Sequence, residues 1–376
     1  MRFKGLGEAA AWYRDWLRAA AFPLWAAAGV DAAGGFRDAL TLAGAPLPRP
    51  RRGRTQGRQV YCFAESGGAG WSGPGVEIAR RGLEVFLGRH LRPDALLRTL
   101  TDEDGTPIDE TPWIYDQAFA LLGMASLHRV APGAGDLPAS AARLRAALET
   151  LRHPAGLFRE AGPQPFQANC HMHLLEAALA WEELGEPGWA GLADEMATFA
   201  LARFIDPDVG FLREFFDAEW RPAAGDDGRL VEPGHQFEWA WLLTRWGRAR
   251  ADEGALSAAR TLYDCGLRGV DPARGVAVGA LWEDLSVREA GTQIWPQTEF
   301  LKAALIMGDA PRALEAANAL RLFLATPTPG LWFDRMDAEG RLVEEPVRAT
   351  ALYHILCACL KLFEAEPLTA QLRPTR

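Results

Sequence analysis

The sequence predicts an all-α fold, an (α/α)6 barrel with short hairpins at its active-site end. Three observations support it. Segments of helical periodicity fill most of the 376 residues, and amphipathic helices such as RLRAALETLRH alternate with helices that are apolar nearly all round, such as GHQFEWAWLLTRW. The second kind of helix also recurs at a nearly fixed spacing. Because a helix that is apolar on every side is buried on every side, this second kind forms an inner layer.

Twelve helices are predicted, and the outer and inner kinds alternate along the chain. The outer helices are 7–29, 75–92, 138–151, 188–204, 254–268 and 311–325; the inner helices are 55–66, 113–130, 168–185, 234–248, 292–307 and 348–366. The loop 43–54 is rich in Pro and Arg, but it joins two helices and does not divide the chain. We therefore expect residues 1–376 to form a single catalytic domain.

The inner helices mark a sixfold internal repeat. Their markers Gln56, Trp113, Asn169, His235, Gln293 and Thr350 are separated by 57, 56, 66, 58 and 57 residues by subtraction. Gly-aromatic segments such as Gly210-Phe211-Leu212-Arg213 precede these helices and indicate a short hairpin. Six units of outer helix, hairpin and inner helix close into a barrel. An open solenoid is the alternative, but it needs polar terminal faces, and helix 348–366 is too apolar for one.

Charge and composition exclude several classes of partner. The net charge is −9 and the pI is about 5.4, so we expect no general affinity for nucleic acid or anionic membranes, which both need a positive field. No apolar run reaches the roughly 18 residues of a membrane helix. The N-terminus MRFKGLGEAAAWYRDWL reads as an amphipathic helix and not as a signal peptide. Five cysteines without a CxxC pair suit a reducing compartment, so a cytoplasmic location is expected.

Polar residues in the first turns of the inner helices predict where the site lies. If these helices run parallel, their N-termini converge at one end of the barrel, where the helix dipoles also favour a developing oxyanion. Each inner helix carries polar or aromatic residues three or four positions apart, which places them on one face. These sets are Arg58 with Tyr61 and Cys62, Trp113 with Asp116, Asn169 with His173, His235 with Glu238, Trp295 with Glu299, and Thr350 with His354.

Three further features have competing interpretations. The 14 Trp against 5 Tyr suggest a carbohydrate partner, with Trp113 and Trp295 against the sugar, whereas Trp239 is either a sugar contact or a core residue. His171 and His173 lie about 200° apart on a helix, so we predict no metal site there. The arginines Arg49, Arg51, Arg52 and Arg54 either bind a phosphate or belong to a solvated loop.

Several motifs, taken together in order, resemble the N-acylglucosamine 2-epimerase superfamily, whose members share the (α/α)6 barrel. The motifs are Gln56-Gly57-Arg58-Gln59-Val60, Asn169-x-x-x-His173-Leu-Leu-Glu176-Ala, Pro233-Gly234-His235-x-x-Glu238, Trp295-Pro296-Gln297-Thr298-Glu299 and Tyr353-His354. The resemblance runs from about residue 10 to residue 365, and the segment from Trp332 to Ile355 looks more like the mannose-isomerase-type members. Arg348 has no place in the family pattern and leaves open whether an anionic substituent is accepted.

The resemblance implies a metal-free sugar isomerase that interconverts an aldose and its ketose, such as mannose and fructose, through a cis-enediol(ate). His354 and His235 would be catalytic, with His354 as the base between C2 and C1 and His235, oriented by Glu238, as the proton shuttle. The remaining expected residues bind the sugar: Arg58, Asn169, His173, Glu238, Glu299, Trp295, Trp113 and Asp116. We expect no cofactor and no metal.

Two alternatives remain open from the sequence. A sugar 2-epimerase of the N-acylglucosamine or cellobiose type needs nearly the same residues, because two histidines on opposite faces of the intermediate could exchange the proton. An (α/α)6 glycoside hydrolase would use paired carboxylates from Glu238, Glu299 and Asp116, but it leaves the lumen histidines unexplained. The expected partner is a monosaccharide substrate, and a homodimer is possible.

Overall fold

The computed structural model describes residues 2–370, with side chains as far as residue 365. Residues 1 and 371–376 of the expected domain 1–376 lie outside the described part. The outer helices are α1 (Leu6–Trp16) and α2 (Phe22–Ala28) joined by the π-helical turn Leu17–Ala21, α4 (Gly75–His90), α6 (Leu137–Leu148), α8 (Trp189–Phe199), α10 (Glu253–Arg268) and α12 (Ala310–Phe323). The inner helices are α3 (Gly53–Glu65), α5 (Ile114–Val130), α7 (Ala168–Glu183), α9 (Pro233–Arg250), α11 (Trp295–Ile306) and α13 (Ala351–Ala370).

The inner helices form a closed ring. Each packs against the next, and α13 returns to pack against α3, while each inner helix also packs against an outer one. The ring is tight where α3 meets α5: a Cβ built on Gly57 would lie 2.5 Å from the carbonyl oxygen of Phe119, so no larger residue fits there. The predicted (α/α)6 barrel is confirmed, and the open solenoid is not formed.

Short antiparallel strands form the hairpins at one end of the barrel. β1 (Ala39–Leu40) pairs with β12 (Val347–Arg348), and this pairing links the first hairpin to the last. The other strands are β2 (Arg51–Arg52), β3 (Leu100–Thr101), β4 (Pro107–Asp109), β5 (Leu230–Val231), β6 (Val270–Asp271), β7 (Val276–Ala277), β8 (Ala280–Trp282), β9 (Val287–Glu289), β10 (Thr292–Gln293) and β11 (Arg335–Met336). The pairing of β1 with β12 therefore closes the barrel at its hairpin end, in addition to the packing of α13 against α3.

A buried glutamine fastens each of four hairpins to the inner helix that follows it. The side-chain amide accepts a hydrogen bond from a backbone N–H of the hairpin and donates one to the carbonyl of the same residue. The pairs are Gln56 with Phe36, Gln117 with Leu97, Gln236 with Leu212 and Gln297 with Ala277, at 2.8–3.0 Å. In the third repeat His171 accepts from Phe158 N at 3.2 Å. These bonds set the rotation of five of the inner helices, α3 to α11, and hence which of their side chains face the lumen.

Two inner helices begin three residues later than expected from the sequence. Residues 292–293 and 347–348 extend the periodic pattern, but they belong to β10 and β12, so α11 starts at Trp295 and α13 at Ala351. Among the described residues, no helix combines the length and the apolar character needed to span a membrane.

Candidate active site

A cavity of about 360 Å³ opens at the hairpin end of the barrel. It brings together seven of the ten residues that the sequence predicts for the site, which are Arg58, Asn169, His173, His235, Glu238, Trp295 and His354. Three of these seven side chains, Arg58, His173 and Glu238, stand two residues after the fastening residue of their helix, which is Gln56, His171 or Gln236. The hairpin bonds therefore aim chemically unlike side chains from different repeats into one space.

His354 is held in a single neutral tautomer. Its Nδ1 lies 2.9 Å from Glu299 Oε1, and its Nε2 lies 3.3 Å from the guanidinium nitrogen Nη2 of Arg58. Arginine can only donate, so Nε2 is the acceptor and the hydrogen stands on Nδ1. Burial, followed by the positive charges of Arg58 and Lys302, holds the pKa of His354 well below its usual value. His354 therefore presents an unprotonated nitrogen beside the cavity at neutral pH.

His235 stands in the opposite electrostatic environment. Its Nδ1 lies 2.7 Å from Glu214 Oε2 and 3.3 Å from Glu232 Oε2. Burial alone would lower the pKa of His235, but the charges of Glu214 and Glu232 outweigh it and raise that pKa to about 10. His235 is thus an imidazolium at neutral pH, with Nε2–H available as a proton donor. Glu214 provides this orientation in place of Glu238, which the sequence suggested.

His173 and Glu238 form the deeper wall of the cavity. Burial lowers the pKa of His173 to about 3, so this imidazole is neutral, and its Nδ1 lies 3.5 Å from Glu176 Oε2. Glu238 is 1% exposed, and neither of its carboxyl oxygens has a hydrogen-bond partner. Burial and the charge of Glu299 raise the pKa of Glu238 to about 8. A buried polar group without a partner is costly, and a bound hydroxyl would satisfy this one.

Arg58, Asn169 and Trp295 complete the polar and aromatic lining. Arg58 donates to the Tyr115 hydroxyl at 2.7 Å, while its Nε has no partner, and the Oδ1 of Asn169 is also unpaired. The ring of Trp295 lies 5.0 Å from that of His235 and 6.0 Å from that of His354. A flat apolar face beside unpaired donors and acceptors suits the alternating surface of a sugar.

The other three predicted residues lie outside the cavity lining. Asp116 is fully buried and accepts hydrogen bonds from Arg54 N and Nε at 3.1 and 2.9 Å. The ring of Trp113 lies beneath the same guanidinium, 5.6 Å from its central carbon. Glu299 stands behind His354. Asp116 and Trp113 hold the side chain of Arg54, which lines the cavity, and Glu299 orients the ring of His354.

The arginines of residues 49–54 separate into different environments. Arg49 is exposed, and Arg51 is buried against Glu103 at 2.7 Å. Arg52, which pairs with Asp38, and Arg54 line the cavity mouth. Arg348 also lines the mouth, and its guanidinium makes no hydrogen bond or ion pair within the described residues. Three arginines therefore lie at the mouth, two of them paired with aspartates, while the charge of Arg348 acts on the neighbouring Asp334.

Five acidic or histidine side chains have the spacing of metal-ligand sets, but the charge among them is already balanced. Donor atoms of His173, Glu176 and Glu238, and of Glu238, Glu299 and His354, lie within 4.8 Å of one another. The ammonium of Lys302 lies 2.6 Å from Glu299 Oε2 and 3.8 Å from Glu238 Oε1. Because this resident cation occupies the centre of the cluster, we do not assign these residues as metal ligands.

Sequence reasoning missed Glu214 and Lys302, and a signal existed for only one of them. Glu214 stands two residues after the fastened hairpin residue, as Asp38 and Glu160 do, and Glu160 accepts from the backbone N–H of Ile114 and Tyr115 at the start of α5. The sequence signal for Glu214 was therefore an Arg-acid pair directly after a Gly-aromatic segment. Trp239, left open by the sequence, is fully buried against Phe204 and belongs to the core.

Comparison with known proteins agrees with this geometry. A family model described as N-acylglucosamine 2-epimerase (GlcNAc 2-epimerase) matches residues 34–358. The mannose-6-phosphate isomerase of Rhizobium meliloti (strain 1021) is 44% identical over 95% of this chain and 96% of the relative. The D-mannose isomerase of Thermobifida fusca is 30% identical over 81% of this chain and 80% of the relative.

A solved structure shows the same fold at lower sequence identity. Cellobiose 2-epimerase from Spirochaeta thermophila DSM 6192 superposes with a TM-score of 0.84 and 22% identity, covering 97% of this chain and 98% of that one. The family match and the two relatives confirm the interpretation as an enzyme, a sugar aldose–ketose isomerase with a 2-epimerase as the alternative. The chain belongs to the N-acylglucosamine 2-epimerase family.

Proposed function

We propose that this chain interconverts a mannose-type aldose and its ketose, with His354 as the base and His235 as the acid. The observation that supports this most directly is the contrast between the two histidines. His354 is neutral and presents an unprotonated Nε2, whereas two carboxylates stabilise the protonated form of His235. Pairs of titratable groups whose environments separate their pKa values are a mark of acid and base assignments.

The reaction begins with proton removal from C2 of the open-chain aldose. Nε2 of His354 takes the proton, the C–H electron pair forms the C1–C2 double bond, and the carbonyl electrons move to O1. His235 donates its Nε2 proton to O1 and, once neutral, accepts the proton of the C2 hydroxyl. His354 then returns its proton to C1, which yields the ketose and restores both histidines. General acid–base catalysis by a positioned side chain accelerates a reaction about 10²- to 10⁴-fold, and this applies to each of the two histidines.

The remaining cavity residues stabilise the intermediate and hold the sugar. Arg58 can donate from its unpaired Nε to an enediolate oxygen, and a donor of this kind is worth roughly 3–4 kcal/mol. Glu238 and Asn169 would bind hydroxyls, and Trp295 would pack on the apolar face of the sugar. A single base on one face of the enediolate can move the proton from C2 to C1, so one neutral histidine is sufficient.

The proposed substrate is a mannose-type monosaccharide. The remaining question is whether this sugar carries a phosphate. The two relatives are named for mannose 6-phosphate and for D-mannose. The free guanidinium of Arg348 at the mouth favours a substrate with an anionic substituent there, because Arg binds phosphate well. All five cysteines are free and buried, which suits the cytoplasm as the site of this reaction.

Proton NMR in D2O separates the candidate reactions in a single experiment. Mannose and mannose 6-phosphate are each incubated with the enzyme, and we expect the ketose with deuterium at C1 and residual aldose labelled at C2. The variant His354→Gln should be inactive, and His153→Gln, which changes a histidine outside the cavity lining, is the control for histidine replacement. A glucose-type product without ketose would instead support the 2-epimerase. Hydrolysis of an added mannobiose without either product would overturn both.

A further inference from the structure

Lys302 is a buried cation directly beneath the site. It stands one turn after Glu299 on α11, its side chain is fully buried, and it does not line the cavity. Its Nζ lies 2.6 Å from Glu299 Oε2, 3.8 Å from Glu238 Oε1 and 4.1 Å from the ring centroid of Trp241. An ammonium without solvent is expensive to bury, so its retention needs a reason beyond packing.

The titratable groups in and around the Lys302 cluster come from several inner helices. Those that act on Lys302 itself are Cys357 on α13, Glu299 on α11, Glu238 on α9 and Glu176 on α7. His173 on α7 acts on Glu299, Lys302 and Arg58 on α3 act on His354, and Tyr353 on α13 contacts Glu176. Glu176 is held as a carboxylate by His173, Lys302 and the Tyr353 hydroxyl, which together outweigh burial and lower its pKa to about 2. Within the described residues, Lys302 is the one cationic side chain in direct contact with Glu299.

We propose that Lys302 is a positioning residue that keeps Glu299 ionised, so that Glu299 accepts the Nδ1 hydrogen of His354 and leaves Nε2 free as the base. The two oxygens of Glu299 divide this task. Oε2 contacts Lys302 at 2.6 Å, and Oε1 contacts His354 Nδ1 at 2.9 Å. The proposal rests on the proposed role of His354.

Loss of the Lys302 charge would reverse the hydrogen bond between Glu299 and His354. Burial raises the pKa of Glu299, and Lys302 is the strongest influence that opposes this rise. Without it the carboxyl group would take up a proton and donate its O–H to Nδ1. The imidazole hydrogen would then move to Nε2, Arg58 would lose its acceptor there, and the nitrogen that faces the cavity would no longer be a base.

The variant Lys302→Met tests this because it keeps the side-chain volume and removes the charge. We expect kcat to fall about 100-fold with KM nearly unchanged, since no substrate contact is lost. The acidic limb of the kcat pH profile should move to higher pH, because the active form needs ionised Glu299 and the loss of Lys302 raises the pKa of Glu299. The partly exposed Lys361→Met, which loses an ion pair with Glu364, is the control.

A double-mutant cycle with Glu299→Gln separates positioning from a general structural role. Because Lys302 acts through Glu299, the double variant should be no slower than Glu299→Gln alone. Additive losses would overturn the proposal, since they would mean that Lys302 acts independently of Glu299. If Lys302→Met fails to fold, the double variant, which removes both charges, should fold with kcat close to that of Glu299→Gln. A double variant that folds but is far slower than Glu299→Gln would overturn it.

Nitrogen-15 NMR of the His354 ring gives a readout that does not depend on activity. In the wild type we expect the hydrogen on Nδ1, and in Lys302→Met we expect it on Nε2. An unchanged tautomer in Lys302→Met would overturn the proposal. If the wild type isomerises no sugar, the proposed function fails, whereas this tautomer shift still decides whether Lys302 controls the Glu299–His354 pair.

Discussion

At the scale of single residues, the site is defined by two histidines whose surroundings differ in sign. His354 faces Arg58 and has Lys302 behind its partner Glu299, so its protonated form is disfavoured. His235 faces two carboxylates, so its protonated form is favoured. We therefore propose two different roles for the same type of side chain, because the charges around it differ.

Replacement of Glu214 tests the source of the His235 charge. In Glu214→Gln one of the two carboxylates that raise the pKa of His235 is gone, so that pKa should fall. The reaction needs protonated His235, and activity is lost as the pH rises through this pKa. We therefore expect the basic limb of the kcat/KM profile to move to lower pH.

The control for this experiment is Glu219→Gln, which changes an exposed acid of the following turn that pairs only with Arg221. It should leave the profile in place. A Glu214→Gln enzyme with uniformly lower activity and an unmoved basic limb would contradict the assignment of His235 as the acid.

Arg348 tests whether the substrate carries a phosphate. Its guanidinium is exposed at the cavity mouth and has no partner among the described side chains. We expect Arg348→Ala to raise KM for mannose 6-phosphate about tenfold, or ~1.4 kcal/mol, and to leave KM for mannose unchanged. Arg341→Ala, an exposed arginine paired with Asp337, is the control. Equal effects on both sugars would show that Arg348 does not bind the phosphate.

At the scale of elements, the recurring unit is a hairpin fastened to the helix that follows it. The glutamine of four repeats bonds both backbone groups of one hairpin residue, and His171 replaces it in the third. The sequence shows these residues at regular spacing, but it gives no indication that they serve the hairpin and not the substrate. The pairing depends on two segments about 20 residues apart meeting in space.

Removal of one fastening glutamine should destabilise the protein without touching the site. Gln117 accepts from Leu97 N at 2.8 Å and donates to Leu97 O at 2.9 Å, and it is fully buried. Gln117→Leu leaves two buried backbone groups unpaired, at a cost of about 1–3 kcal/mol each. We expect a lower urea midpoint, whereas the exposed Gln293→Leu should hardly change it. An unchanged midpoint for Gln117→Leu would mean that the hairpin is held by other contacts.

At the scale of the whole molecule, periodicity predicted the barrel and the end of the barrel that holds the site. The apolar inner helices, the spacing near 57 residues and the polar first turns were sufficient to bring Arg58, His173, His235 and His354 together. The boundary errors at 292 and 348 arose because β10 and β12 continue the helical pattern by a few residues.

The rest of the site could not be predicted because it depends on distant partners. Glu214 reaches His235 from a hairpin, and Glu299 reaches His354 across 55 positions of sequence. Asp116 has the residue type of a catalytic acid, but closure of the ring places it against Arg54. The charge state of each site residue therefore depends on which side chains the packed repeats place beside it. Composition and spacing do not reveal these neighbours.

Chelation tests whether the charge in the barrel centre is supplied by the chain alone. Lys302 already lies among the carboxylates of Glu299 and Glu238. We expect isomerase activity to survive extensive dialysis against EDTA, and added Mg²⁺, Mn²⁺ or Zn²⁺ to give no stimulation. Loss of activity that one divalent cation restores would contradict this account of the lumen.

The most direct test of the central claim is the protonation state of the two histidines at neutral pH. Nitrogen-15 histidine NMR of the wild type, assigned with His354→Gln and His235→Gln, reads each ring nitrogen separately. We expect His354 to be neutral with its hydrogen on Nδ1, and His235 to carry hydrogens on both nitrogens up to a pH near 10. A protonated His354 or a neutral His235 at pH 7 would contradict the assignment of His354 as the base and His235 as the acid.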